Sequence, residues 1–456
     1  MLAILFILLI ISIKLYIDAP FDIEREFFTY NLIVAFVALL IFMIKKKKID
    51  NPLIHSNLFL LGYIIIYYQY NIDYVIDFID DRELARWADS YAASQSIAIA
   101  NIGLVSFLIG YIYKKEPLEE TVTRYYPFKD TNILDSLMGF FLVTFVVFIN
   151  KTYLFGGYGA DIEMGTIAEF SSNWIQVLYI SSITIKSYNY KREKEHEETY
   201  ISVISKPLMF AIFYILLILM SGARYEALRV ILVSVIAYIY STGVVVPKSL
   251  VLVAGLSAAV LFSLIGLMRG VDNSSNIDQA YDSMMEVNTI FPLTKELAFS
   301  YNTLLIAVRH VPETFPYNFG LTFFPLLLYL IPGGRGLFLR VFDIPPMLQS
   351  SPMFITFLGL DGFDWGLGSS SLADVYVSFG VYGIVVLFCI FGYLIRHLEV
   401  HTFIRSTTSP YVLAFSFSFF SQIIFINRES LLTSLIGMSY VLIIIYLFRN
   451  RQEEEP

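Results

Sequence analysis

The side chains of this chain with the most chemical potential are five arginines, one histidine and three aspartates: Arg224, Arg269, Arg309, Arg335 and Arg428, His310, and Asp361, Asp364 and Asp374. A guanidinium is a planar fork that matches phosphate or carboxylate bidentately and stays charged when partly desolvated. A neutral imidazole at His310 can take a proton from an attacking hydroxyl near ambient pH, and a carboxylate can do the same. The single cysteine, Cys389, leaves no internal disulfide and no cysteine-based metal centre. The sequence carries no P-loop, no HExxH and no nucleophile elbow, and no carboxylate pair at a metal-ligand spacing rises above chance. A metal-independent reaction without a bound cofactor is therefore expected, with the arginines stabilising an anion that develops or departs.

Those residues must be positioned by elements of an unusual composition. Of 456 residues 57% are hydrophobic and only 15% charged, against about 25% charged in an ordinary soluble domain. The net charge of −8 argues against a nucleic-acid partner. Apolar stretches lie at about 1–17, 30–44, 53–72, 96–113, 132–150, 171–188, 203–220, 225–242, 249–268, 373–395, 409–426 and 431–448. The expected fold class is an all-α integral membrane protein with about 12 transmembrane helices. The first run has no basic n-region and no small-residue cleavage site before Asp18, so it reads as a retained helix rather than a signal peptide.

Basic residues set the expected orientation, because cytoplasmic loops retain Lys and Arg. Lys45 to Lys48, Lys114, Lys115, Lys191 to Lys194, Lys248, Arg396, Arg405, Arg449 and Arg451 all fall on one side of this layout. Both termini are then cytoplasmic. On the outer side ten of the twelve basic residues are Arg, whereas inside only six of eighteen are. Snorkelling helix anchors would also place Arg at rims. Arg229, three residues after Glu226, reads more simply as half of an intrahelical ion pair.

The layout divides the chain into a nine-span region over 1–268, one large outer loop over 269–372 between spans nine and ten, and a three-span region with a cytoplasmic tail over 373–456. Within the loop, 320–331 is apolar but too short to span and is interrupted by Pro325, which suits an interfacial segment held at the bilayer surface. The aromatics Phe291, Phe299, Tyr301, Phe315, Tyr317, Phe319, Phe323 and Phe324 suit sugar faces or a membrane-interface belt. Asp374 stands in the first turn of span ten after the serines 369–371, where a carboxylate also complements the helix dipole.

Rim arginines, aromatics, a candidate base and no metal motif fit glycosyl transfer from a polyprenyl pyrophosphate donor. A sugar hydroxyl would attack the anomeric carbon while His310 or Asp374 takes its proton, and Arg224, Arg269, Arg309, Arg335 and Arg428 would hold the departing pyrophosphate. A carrier for the same glycan, a flippase, is the competing class, weakened by uneven loops and the absence of visible repeats.

The Ser221-Gly-Ala-Arg224 turn, Arg269 closing the ninth span, and the stretch from Gly368 through Asp374 and Gly380 to Gly383 resemble the Wzy-type oligosaccharide repeat-unit polymerases of bacterial inner membranes. Arg309 and Gly320 also match an Arg-x10-Gly spacing found in the outer loops of some members, though in a single copy. The resemblance covers the whole chain in architecture and about 60 residues in motif. It implies polymerisation of undecaprenyl-pyrophosphate-linked repeat units into O-antigen, capsule or exopolysaccharide at the outer face of the cytoplasmic membrane. The implied partners are the lipid-linked donor and acceptor, the bilayer itself and, in some members, a chain-length-regulating copolymerase. O-antigen ligases use similar donor chemistry, and the sequence does not separate the two.

Overall fold

The structure, a computed structural model, describes residues 1–45, 51–113, 126–155, 164–193, 199–221, 223–257, 260, 289–331, 333–359, 368–405 and 408–450. Helices supply all the regular secondary structure of these residues, and no strand occurs among them. A helix covers at least part of each of the twelve apolar runs. These are α1 (Leu2–Ile17), α2 (Arg25–Lys45), α3 (His55–Val75), α4 (Ser90–Tyr113), α5 (Asn132–Phe148), α6 (Thr166–Arg192), α7 (Ser205–Met220), α8 (Arg224–Thr242) and α9 (Lys248–Ser257). Three more lie after residue 368. Within the segment expected as the large loop stand α10 (Tyr301–His310), α11 (Gly334–Val341) and α12 (Ser351–Gly359), and after it α13 (Ser371–Glu399), α14 (Pro410–Gln422) and α15 (Met438–Phe448).

Among the described residues four helices are long and apolar enough to cross a membrane: α2, α4, α8, and α13 with its continuation to Ile404. The bundle also turns large apolar side chains outward, among them Ile10, Phe36, Val147, Met209, Leu216, Ile390 and Leu447. Phe36 is 61% exposed and Ile390 58%. An apolar surface of that extent is costly in water and is the natural solvent face of a helical membrane protein.

Two helices form the hubs. Helix α4 is enclosed by α13, α1, α2 and α10, and α6 by α5, α8, α14 and α15. Both are rich in small and hydroxyl side chains, which let backbones approach where lipid offers no hydrophobic drive for helix association. The α4–α13 contact is the closest. A Cβ on Gly110 would stand 1.8 Å from the Cys389 carbonyl oxygen, and one on Gly392 would stand 2.0 Å from that of Phe107. One polar group inside the bundle is well paired: Asn101 donates to Asn31 Oδ1 at 2.8 Å and accepts from Tyr68 at 2.7 Å.

Contacts at the helix ends fall into two sets. At one end Arg25 pairs with Asp77, Phe21 stacks on Tyr91 at 4.9 Å, and Arg224 meets Glu296. At the opposite end the Ser56 N–H and the Tyr111 hydroxyl donate to Glu399 at 2.7 and 2.6 Å, Lys191 lies over Tyr240, and Arg449 over Tyr126.

Three local features depart from simple spans and turns. The segment expected as loop contains α10, whose Leu304, Leu305 and Ala307 are fully buried against α4, α12 and α13. Its apolar run is too short to span, which is the length range of a core helix. Next, α14 stops at Gln422, and the chain crosses to α15 as a strap of short 3₁₀ turns over 423–437. Asn427, Ser430 and Leu431 of this strap are buried, and Asn427 donates to the Phe59 carbonyl at 2.9 Å while its Oδ1 has no hydrogen-bond partner. Irregular backbone of this kind stays inside a bundle only where neighbouring protein groups satisfy it. Last, α13 kinks at Gly380, whose φ of 63° and ψ of −159° are open to glycine alone. The Tyr317 ring occupies the space a side chain would need there.

The 320–331 segment consists of a helical turn, Phe324–Leu327, continued by a 3₁₀ turn, Leu328–Leu330. Phe323 and Phe324 pack on Phe379 beside the kink, while Phe324, Leu327, Leu330 and Ile331 keep substantial outward exposure.

Candidate functional site

Arg224 opens α8 directly after the tight turn at Ser221, whose hydroxyl and neighbouring Ala223 N–H both bond the Ile218 carbonyl. Its Nη2 donates to Glu296 Oε2 at 2.6 Å. Arg428, from the strap, brings Nη1 to 3.6 Å from Oε1 of the same carboxylate. Two of the arginines expected to bind an anion thus meet on one acid, although they stand on different helical elements. The Arg224 side chain is 15% exposed, Arg428 41% and Glu296 55%.

Glu296 reaches that point because its segment is tied to the end of α3. Thr289 donates to Asp73 at 2.6 Å, Thr294 to Gln69 at 2.7 Å and Gln69 to the Phe291 carbonyl at 3.0 Å. Arg428 is fixed by the strap's own anchors. Tyr67 donates to the Asn427 carbonyl at 3.1 Å, and its oxygen also receives the Leu372 N–H and contacts the Ser371 hydroxyl, each at 3.1 Å. Tyr67 therefore joins the strap to the first turn of α13.

That turn carries Asp374, fully buried, in a helix capped by Ser370 through the Ala373 N–H. Asp374 Oδ1 accepts from Thr322 at 3.2 Å, and Ser430 of the strap and Ser351 stand close to the same carboxyl group. Its Oδ2 has no hydrogen-bond partner. A buried acceptor left open in this way is costly to the fold.

Behind the paired arginines lies a second charged layer. The Arg229 guanidinium sits 5.4 Å from the centre of the Tyr225 ring, its Nε is buried without a hydrogen-bond partner, and its charge reaches Glu429 of the strap. Burial pushes the Glu429 carboxyl above the usual range, and Arg229 opposes that shift. Glu226 lies near enough to act on both Tyr225 and Glu429.

The other expected residues that the structure describes, His310, Arg309 and Arg335, are engaged away from this carboxylate. His310 ends α10, a helix of ten residues, so about 15 Å of rise separates it from the Glu296 end. Its charged neighbours are Arg309 and Asp89. Burial, and then Arg309, lower its pKa, which favours the neutral imidazole a base requires. Arg309 is exposed. Arg335 is engaged within its own segment, donating to the Gln349 carbonyl at 2.9 Å and lying over the Tyr329 ring. Arg269, Asp361 and Asp364 lie outside the described residues. Of the loop aromatics, Tyr301 is core, bonded to Asn71, and Phe299, Phe315, Tyr317 and Phe323 pack against other rings, which leaves Phe291, Phe319 and Phe324 as the well-exposed faces.

Sequence reasoning missed Glu296, Tyr67, Asn427 and Glu429 as parts of this site. Tyr67 and Asn427 sit inside or beside apolar runs, where a polar side chain is a signal in its own right because it must find a partner within the bundle. Glu296 offers no comparable local signal. Among the described residues no group of three or more His, Cys, Asp or Glu is gathered to hold a metal. No protein-family model, curated protein or solved structure matches the chain.

Proposed function

We propose that this protein is a membrane glycosyltransferase that polymerises undecaprenyl-pyrophosphate-linked oligosaccharide repeat units, of the Wzy type, in the cytoplasmic membrane of a bacterium. The observation that carries this reading is the convergence of Arg224 and Arg428 on one half-exposed carboxylate. Two guanidiniums already arranged around an anion are suited to a phosphate group, and a pyrophosphate leaving group needs that stabilisation as the glycosidic bond forms.

In this reading all twelve apolar runs cross the bilayer, both termini are cytoplasmic, and the end bearing Arg25, Glu296, Arg224 and Arg428 faces outward. The region 269–372 is the outer loop that carries the substrate, with 320–331 at the interface. Arg224 and Arg428 hold the donor pyrophosphate, and Arg269, Arg309 and Arg335 contribute to the same outer field. Asp374 accepts the proton of the attacking sugar hydroxyl through its open Oδ2, and His310 is the alternative base. A chain-length-regulating copolymerase is the protein partner such a polymerase would take.

Deleting the gene in its host and resolving the extracted glycolipids by electrophoresis tests the proposal. Collapse of a ladder to a single surface repeat unit, restored by wild type but not by Arg224→Ala, Arg428→Ala or Arg269→Ala, is the expected result. Removing one transition-state charge donor should lower the rate by about 10²–10³-fold. Full-length chains stranded on their lipid carrier would instead indicate a ligase. Loss of all surface glycan, with single units held at the cytoplasmic leaflet, would indicate a flippase.

A further inference from the structure

Glu296 is an odd neighbour for an anion-binding site, because it fills with a protein carboxylate the position an anionic substrate would need. It is also the least buried member of the cluster, at 55% side-chain exposure, while Arg224 is held at 15%. Exposed carboxylate–guanidinium pairs contribute little and exchange readily. The layer behind carries Arg229 with Glu226 and Glu429.

We propose that Glu296 is the specificity-determining occupant of this arginine site: it excludes singly charged phospholipid headgroups and yields only to a diphosphate. This rests on reading Arg224 and Arg428 as the diphosphate site. The physical basis is competition. A membrane presents monoanionic phosphodiester headgroups in large excess over any lipid-linked diphosphate, and a bare pair of arginines at the rim would be occupied by them continuously. A resident carboxylate carries the same single charge and is tethered, so a monoanion gains almost nothing by displacing it. A lipid diphosphate brings two adjacent charged groups, one for each guanidinium, and gains more than Glu296 loses. After transfer the carboxylate is at hand to replace the departing lipid diphosphate, so Glu296 also promotes product release.

The test uses purified full-length protein in detergent with two probes, farnesyl diphosphate and phosphatidylglycerol, binding being followed by native mass spectrometry and thermophoresis. Wild type is expected to prefer farnesyl diphosphate strongly. Glu296→Gln should tighten phosphatidylglycerol binding by about three- to tenfold, the worth of one or two partly exposed ion pairs, and so narrow the preference. An unchanged ratio of the two affinities in folded Glu296→Gln overturns the proposal. If that variant does not fold, Glu296→Asp carries the test, since a carboxylate one methylene shorter cannot reach both arginines and should give an intermediate ratio. The Arg224→Ala/Arg428→Ala double variant separates the two readings. Retained diphosphate binding there removes the arginine site itself, whereas its loss together with an unmoved Glu296→Gln ratio removes only the role given to Glu296.

Discussion

At the scale of single residues, His310 offers a test that needs no substrate. Its folded pKa is lowered, first by burial and then by Arg309, so the unfolded chain takes up the proton at a higher pH than the folded one. Above the ordinary value near 6.5 the residue has no effect on the pH dependence of stability. As pH falls through that value toward the lowered folded one, the unfolded state gains protons first and the protein loses stability. The melting temperature of wild type in detergent is therefore expected to fall relative to His310→Gln on going from pH 7.5 to pH 5.5. Parallel curves for the two proteins would show that the imidazole sits in an ordinary solvated environment. Asp374→Asn is the complementary test of the proposed base: activity should drop while the bundle stays folded, because the amide keeps an acceptor for Thr322 but cannot take a proton.

The element scale is governed by two glycine contacts that no apolar pattern reveals. At the α4–α13 crossing, Gly110 and Gly392 each face a carbonyl oxygen of the other helix at a distance no side chain tolerates. Gly110→Val should separate the two helices and cost at least about 1–3 kcal/mol, the usual penalty for overpacking a core. Thermal unfolding followed by size-exclusion fluorescence reads this as a lower melting point or as aggregation. At the kink, Gly380→Ala would force a side chain into a glycine-only backbone region already filled by Tyr317, at a cost of about 1–3 kcal/mol. Its effect should extend to activity, because the kink lies less than two turns from Asp374 and sets where the first turn of α13 points. A Gly380→Ala protein with wild-type melting and ladder would show that the kink is dispensable.

For the molecule as a whole, the arrangement of ends makes a prediction about sides. In a background with Cys389→Ser, a cysteine placed at Asp18 or at Glu296 should react with a membrane-impermeant maleimide added outside intact cells, and one placed at Lys45 or Arg449 should react only after the membrane is opened. The reverse pattern would invert the proposed orientation. Much of this architecture is written in the chain itself. A span must be a continuous run of apolar residues because lipid offers its backbone no hydrogen-bond partner, so local composition alone announces an all-helical, apolar chain. The arginine bias and the turn at Ser221–Arg224 are local in the same sense. What could not be read is every feature that depends on a partner remote in sequence. Glu296 meets Arg428 across 132 positions, Tyr67 meets Asn427 across 360, and α10 is a core helix only because α4 and α13 close over it. Sequence periodicity reports which face of a helix is apolar, but it carries no information about which other helix covers that face. Only tertiary packing decided that Arg224 and Arg428 share one carboxylate while His310 stands apart, since side-chain convergence follows from helix crossings and close glycine contacts that no single segment encodes.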